Sequence, residues 1–144
     1  MPHSTENLDG MGRRAHMYRK VGDEFIADDF AHEQSIVFET EKGLVIFNSC
    51  SHGGIANIVR EVQNAFAGKK IYAVIGGFHM MKLSGLDTLG IPVDEVVKVA
   101  RELKELGVEK VYTGHCTGMI AFEIMKRELG NMVHALNTGC RIEI

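Results

Sequence analysis

Three short stretches carry the residues that could do chemistry. Asn48-Ser-Cys50-Ser-His52-Gly-Gly54 sets a thiol and an imidazole two residues apart, so both can face one side of an extended segment. Gly76-Gly77-Phe78-His79 and Gly114-His115-Cys116-Thr117-Gly118 each put a histidine next to or near glycine. Thiolate and imidazole together suit zinc or iron. Taken singly, each residue has a plainer explanation: Cys50 as a small core residue, His52 as a helix-start residue bonded to backbone, His79 as a loop residue. His115 is the strongest of them, because glycine on one side and Cys-Thr-Gly on the other leave it little structural purpose. His3, His16, His32 and His134 lack such a setting. A shared site is favoured because all three stretches close an apolar run, and in α/β proteins strand ends deliver reactive side chains to one cleft edge.

The elements that would position these residues can be read in order. Residues 1–24 are polar, with Gly10, Gly12, Gly22 and the basic pair Arg13-Arg14, and form an irregular N-terminal segment in which 13–20 is either a short strand or an ordered loop. The acidic turn Asp28-Asp29-Phe30-Ala31-His32-Glu33 leads into a strand over 35–38, and 39–43 reads as a hairpin turn into a second strand, 44–47. Ile55, Ile58, Val59, Val62 and Phe66 recur at helical spacing, predicting a helix over 54–67 closed by Gly68. The apolar run 71–75 reads as a strand buried on both faces, followed by a loop over 80–90. Pro92 suits the first turn of a helix with Val93, Val96, Ala100, Leu103 and Leu106 inward. A strand over 108–113, a helix over 117–129 and short strands over 133–136 and 141–144 complete the order β-β-α-β-α-β-α-β-β. Residues 25–144 thus form one α/β domain.

Gly114 to Gly118 also matches the Gly-x-(Ser or Cys)-x-Gly elbow, which would make Cys116 a nucleophile. That triad needs an acid and then a histidine downstream. Only His134 follows, inside a predicted strand, and the remaining chain is too short for that fold.

Composition narrows the function class. A chain of 144 residues is one domain with a single sizeable core. The net charge of −3, with no basic block, argues against nucleic acid as a partner. No apolar run approaches the roughly 20 residues that span a bilayer, and the N-terminus has no apolar signal core. Cys50, Cys116 and Cys140 lack zinc-knuckle spacing and read as reduced thiols of a cytoplasmic protein.

Taken as a set, the motifs resemble the metallo-β-lactamase superfamily, and in particular the branch of metal-dependent hydrolases around the dihydropterin-methyl-aminobenzene phosphate synthases. The resemblance rests on Asp28-Asp29-Phe30-x-x-Glu33-Gln34, Gly43-Leu-Val-x-x-x-x-Cys50-Ser-His52-x-Gly54-Ile55, Gly76-Gly77-Phe78-His79 and His115-Cys-Thr-Gly118, covering about residues 28–140. It implies half of an αββα sandwich that carries metal where strand ends meet. His115, His52, His79 and Cys50 would be the metal ligands, with Cys50 in the place of the superfamily's bridging aspartate and His115 in that of its final histidine. The superfamily's His-x-His-x-Asp-His motif is absent from this chain, which therefore looks like the C-terminal half of such a protein. The implied activity is attack of a metal-activated water on an ester- or phosphate-like bond of a small-molecule substrate, once the N-terminal half is supplied. At most one zinc or iron ion per chain is expected, and a homodimer or a complex with the missing half. The competing expectation is a non-catalytic module that binds a partner or itself, its histidines vestigial.

Overall fold

The computed structural model describes residues 1–4, 17–83 and 86–144. Strand β1 (Tyr18–Val21) and β2 (Glu24–Ala27) form an exposed antiparallel hairpin. Its turn needs Gly22, at φ 61, in the left-handed region. Of the stretch 13–20 that the sequence leaves open between strand and loop, the last residues belong to β1, while 13–16 lie outside the described residues, as does the Arg13-Arg14 pair.

The main sheet begins with β3 (Ile36–Thr40) and β4 (Gly43–Phe47), an antiparallel hairpin. Helix α1 (Ile55–Ala65) then leads to β5 (Ile71–Gly76), which pairs parallel with β4. The small hairpin β6 (Met81–Leu83) and β7 (Leu86–Leu89) follows. Helix α2 (Val93–Glu105), β8 (Lys110–Thr113), helix α3 (Met119–Leu129) and β9 (Val133–Ala135) complete the chain, with β8 parallel to β5 and β9 parallel to β8.

The strand order β3-β4-β5-β8-β9 advances in one direction across the sheet. Parallel crossovers are right-handed, so a sheet that never reverses direction receives all its helices on one face. The core bears this out. Ile55, Ile58, Val59 and Val62 of α1, Val96, Ala100 and Leu103 of α2, and Ala121, Ile124 and Met125 of α3 bury one side of the sheet with Leu44, Ile46, Ile71, Val74, Val111 and Val133. On the other side, among the described residues, Val45, Ala73 and Ile75 pack against the partly buried Phe47, Tyr72, Tyr112, Leu136 and Ile142, with no helix residue among them. This is a mixed α/β half-sandwich, one sheet with helices on one face. Among the described residues no helix is long and apolar enough to cross a membrane.

Two sequence expectations are corrected. The loop expected over 80–90 contains the β6–β7 hairpin, whose pairing Met81↔Leu89 sets its ends. The final strand expected over 141–144 does not form. Its alternating Arg-Ile-Glu-Ile pattern has no ladder partner, and Ile142 instead lies against the helix-free face.

Candidate metal centre

Because β4, β5 and β8 run parallel, their C-terminal ends lie at one edge of the sheet. The loops leaving these ends hold His52, His79 and His115. The rings of His52 and His79 stand 4.4 Å apart between centroids, tilted at 55°. Cys50, His115 and Cys116 form the neighbouring group, with ligand atoms all within 4.8 Å of one another. The two groups touch where the His79 backbone N–H donates to Cys116 Sγ at 3.3 Å.

Close backbone approach makes this convergence possible. At Gly76, φ is 153, and an added Cβ would lie 2.2 Å from the carbonyl oxygen of Asn48. At Gly77 a Cβ would lie 2.6 Å from Cys116 Sγ and 2.9 Å from the Ser49 carbonyl oxygen. These two glycines let the end of β5 nest between the other two loops. The loop is then tied across to the 3₁₀ turn His115–Thr117. Phe78 N–H donates to Thr117 Oγ1 at 2.9 Å and Met80 N–H to the Cys116 carbonyl at 2.9 Å. On the other side Asn48 Nδ2 donates to Ser51 Oγ, and Ser51 Oγ donates to the Gly77 carbonyl at 2.7 Å.

Backbone strain collects at the same place. Among the described residues four non-glycine residues adopt positive φ: Phe30 (52°), Ser51 (57°), His79 (48°) and His115 (52°). Two are site histidines, one precedes His52, and Phe30 stacks on His52 at 4.3 Å and 9°. Such strain persists only where the surroundings over-determine it.

Sequence reasoning missed Glu33 as a member of the site. It is buried, at 6% exposure, and belongs to the turn before β3. Its Oε1 receives the His52 backbone N–H at 2.8 Å and sits 3.0 Å from His52 Nδ1, while Oε2 receives the Gly53 N–H at 2.9 Å. Burial pushes this carboxyl upward, but the bonds from the His52 ring and from the Gly53 and His52 amides outweigh it and hold the group down at about 2. An ionised carboxylate only accepts, so Nδ1 of His52 carries a proton, which leaves Nε2 as the ring's ligating nitrogen. The signal in the sequence is the Asp28–Gln34 motif, which carries Glu33 only as part of the family resemblance.

The elbow motif would make Cys116 a nucleophile, and its surroundings oppose that. Burial, then the neighbouring Cys50, push its thiol up to about 12, far from the thiolate that attacks. His79 is pushed below its ordinary value by burial and by His52, with Glu33 pulling upward and His115 downward. Its Nδ1 is buried without a hydrogen-bond partner. Beside His115 opens a cavity of about 340 Å3, walled by Met81, Met119, Phe122 and Leu136 among others. Away from this edge, His3 bridges Glu61 and Ser35, His32 is largely exposed, and His134 stacks on Tyr112. His16 lies outside the described residues.

No family model matches the chain. It is 33% identical over 123 residues to the 7,8-dihydropterin-6-methyl-4-(beta-D-ribofuranosyl)-aminobenzene-5'-phosphate synthase of Methanocaldococcus jannaschii, across 85% of this chain and 39% of that protein. It matches the crystal structure of a metal-dependent hydrolase of the beta-lactamase superfamily with a TM-score of 0.75 and 36% identity, across 88% of this chain and 46% of that one. The chain therefore spans less than half the length of either. By fold and by sequence the chain resembles the β-lactamase superfamily of metal-dependent hydrolases, matching somewhat less than half of the architecture of each of these relatives.

Proposed function

We propose that this chain is part of a metal-dependent hydrolase and holds one divalent ion, zinc or iron, at the edge where β4, β5 and β8 end. His115 and His52 are its first ligands, with His79 and Cys50 adding to them. The observation that carries the reading is the buried, unpartnered Nδ1 of His79, set against the His52 ring. A buried polar atom with no partner is costly, and metal coordination would satisfy this nitrogen. His134 Nε2 is also buried without a partner, but His134 stacks on Tyr112 and stands outside the cluster at this edge.

A divalent ion there would supply Lewis acidity and an activated water for attack on an ester- or phosphate-like bond. The chain's own residues do the rest. Glu33 fixes the tautomer and orientation of His52, as carboxylates behind ligating histidines do. Phe30 closes the other face of that ring. The cavity beside His115 offers apolar walls and a thioether-rich rim to a small-molecule substrate with an apolar portion.

The test is metal analysis of the purified chain, with His115→Ala and His52→Ala beside it. At most one ion per chain is expected, bound less tightly in both variants. Hydrolysis of generic phosphodiesters or esters should be weak for the chain alone and rise when the remaining half of a relative is supplied. Two stoichiometric ions, or unchanged metal in His115→Ala, would overturn the assignment.

A second reading, a non-catalytic module that pairs with a partner, is favoured by the helix-free sheet face. Ile36 and Phe38 stand there 60% and 55% exposed.

A further inference from the structure

The His52–His79 pair does not use the thiols. Cys50 leaves the end of β4 and Cys116 the end of β8, yet both sulfurs and a His115 ring nitrogen lie within 4.8 Å of one another. Ligands about 2.0–2.3 Å from a tetrahedral zinc stand roughly 3.3–3.8 Å apart, so about 1 Å of side-chain rotation closes the set. Two features suit a metal rather than a packing role. The His79 N–H points at Cys116 Sγ at 3.3 Å, and amide donors to sulfur stabilise thiolate ligands. Gly77 leaves open the volume that Cys116 Sγ and the His115 ring occupy, since a Cβ there would meet them at 2.6 and 3.3 Å. His115 is exposed while both cysteines are half-buried, which leaves a fourth coordination position facing outward.

We infer that Cys50, His115 and Cys116 form a thiolate-rich donor set for a soft divalent ion, overlapping the set proposed above at His115 and Cys50, so that one ion is held at a time. On binding, each thiol releases its proton to solvent and the two thiolates balance the ion's charge. The ion preferred by this set is thiophilic, zinc or cadmium before manganese or magnesium. The inference rests on the reading of this edge as a metal centre and adds Cys116 to it.

The probe is Co2+ added to the metal-free full chain in a Cys140→Ser background, followed by near-ultraviolet absorption and equilibrium dialysis. The expected result is a sulfur-to-cobalt charge-transfer band that saturates at one ion per chain. It should persist in His52→Ala and disappear in Cys50→Ser and Cys116→Ser, each checked for folding by circular dichroism. As a measurement free of variants at the site, Co2+ should protect Cys50 from alkylation, read by peptide mass mapping. A band that survives in Cys116→Ser, cobalt bound without the band, or Cys50 alkylation unchanged by cobalt overturns the Cys50–His115–Cys116 set and leaves the centre proposed above standing. No cobalt bound at all overturns both.

Discussion

Glu33 holds His52 by ring and by backbone at once, Oε1 lying 3.0 Å from Nδ1 and 2.8 Å from the amide nitrogen. The two residues come from different loops, 19 positions apart. A turn before the sheet thus sets the direction in which a residue after β4 presents its free nitrogen. Removing the carboxylate leaves the Nδ1 proton and two buried amides without an acceptor.

Glu33→Ala is therefore expected to weaken metal binding by about 10- to 100-fold, the usual effect of losing a partner behind a ligating histidine. Calorimetric titration with zinc measures this directly. An unchanged affinity would mean that His52 does not ligate or needs no orienting.

The same carboxyl ties stability to acid. Its folded value of about 2 lies below the ordinary 4.5, so its contribution is fully present above about pH 4.5 and is lost as pH falls toward about 2. A shift of that size corresponds to about 3 kcal/mol. Thermal melts of the metal-free protein should fall between about pH 5 and pH 3, and Glu33→Gln should be less stable at neutral pH with a flatter acid slope. Parallel slopes for the two proteins would contradict this.

Thiol reactivity should follow burial. Cys140 is exposed, whereas Cys116 is held up at about 12 by burial and by Cys50. At about pH 8 only roughly one Cys116 in 10,000 would be thiolate. Alkylation of the metal-free protein, followed by peptide mass mapping, should label Cys140 first and Cys116 far later. Early labelling of Cys116 would show that its pocket opens.

Gly77 is expected to be intolerant of any side chain. The added Cβ of Gly77→Ala would meet Cys116 Sγ at 2.6 Å and the Ser49 carbonyl oxygen at 2.9 Å, an overpacking that typically costs about 1–3 kcal/mol. Gly53→Ala is the control, because its Cβ would touch only Glu33 Oε2, at 3.6 Å. Equal melting temperatures for the two variants would refute the close packing of the three loops.

Much of this molecule could be read from spacing alone, and the exceptions have physical causes. The helices over 55–65 and 93–105 have apolar stripes at a period near 3.6, and the strand over 71–76 is a continuous apolar run. Both signals are local. The convergence of His52, His79 and His115 also followed, since parallel strands end together. Glu33 did not follow, because its bonds to His52 and Gly53 join separate elements and leave no periodic trace. Cys116 was visible only as part of an elbow motif, and its approach to Cys50 depends on the missing side chain at Gly77. The stretch 141–144 shows the opposite error. Alternation there marks a residue, Ile142, that packs on a sheet face without any strand to pair with.

The last prediction concerns that face. Ile36 pairs with Phe47 and Phe38 with Val45, so all four side chains project to the side that no helix covers. Phe38 packs edge-on against Phe47 at 5.7 Å, yet remains 55% exposed, beside Ile36 at 60%. They stand on β3, at the edge of the sheet, where unpaired backbone groups also invite association. Apolar groups so placed are usually covered by a partner. The expected partner is a second copy of this chain, or the rest of the architecture that relatives about twice as long possess. Sedimentation of the chain alone should show a dimer that dissociates on dilution, and Phe38→Lys should shift it to monomer without lowering its helix content. A wild-type chain that sediments as a monomer at every concentration would exclude self-association, and one that also ignores an added complementary half would refute the open face as an interface.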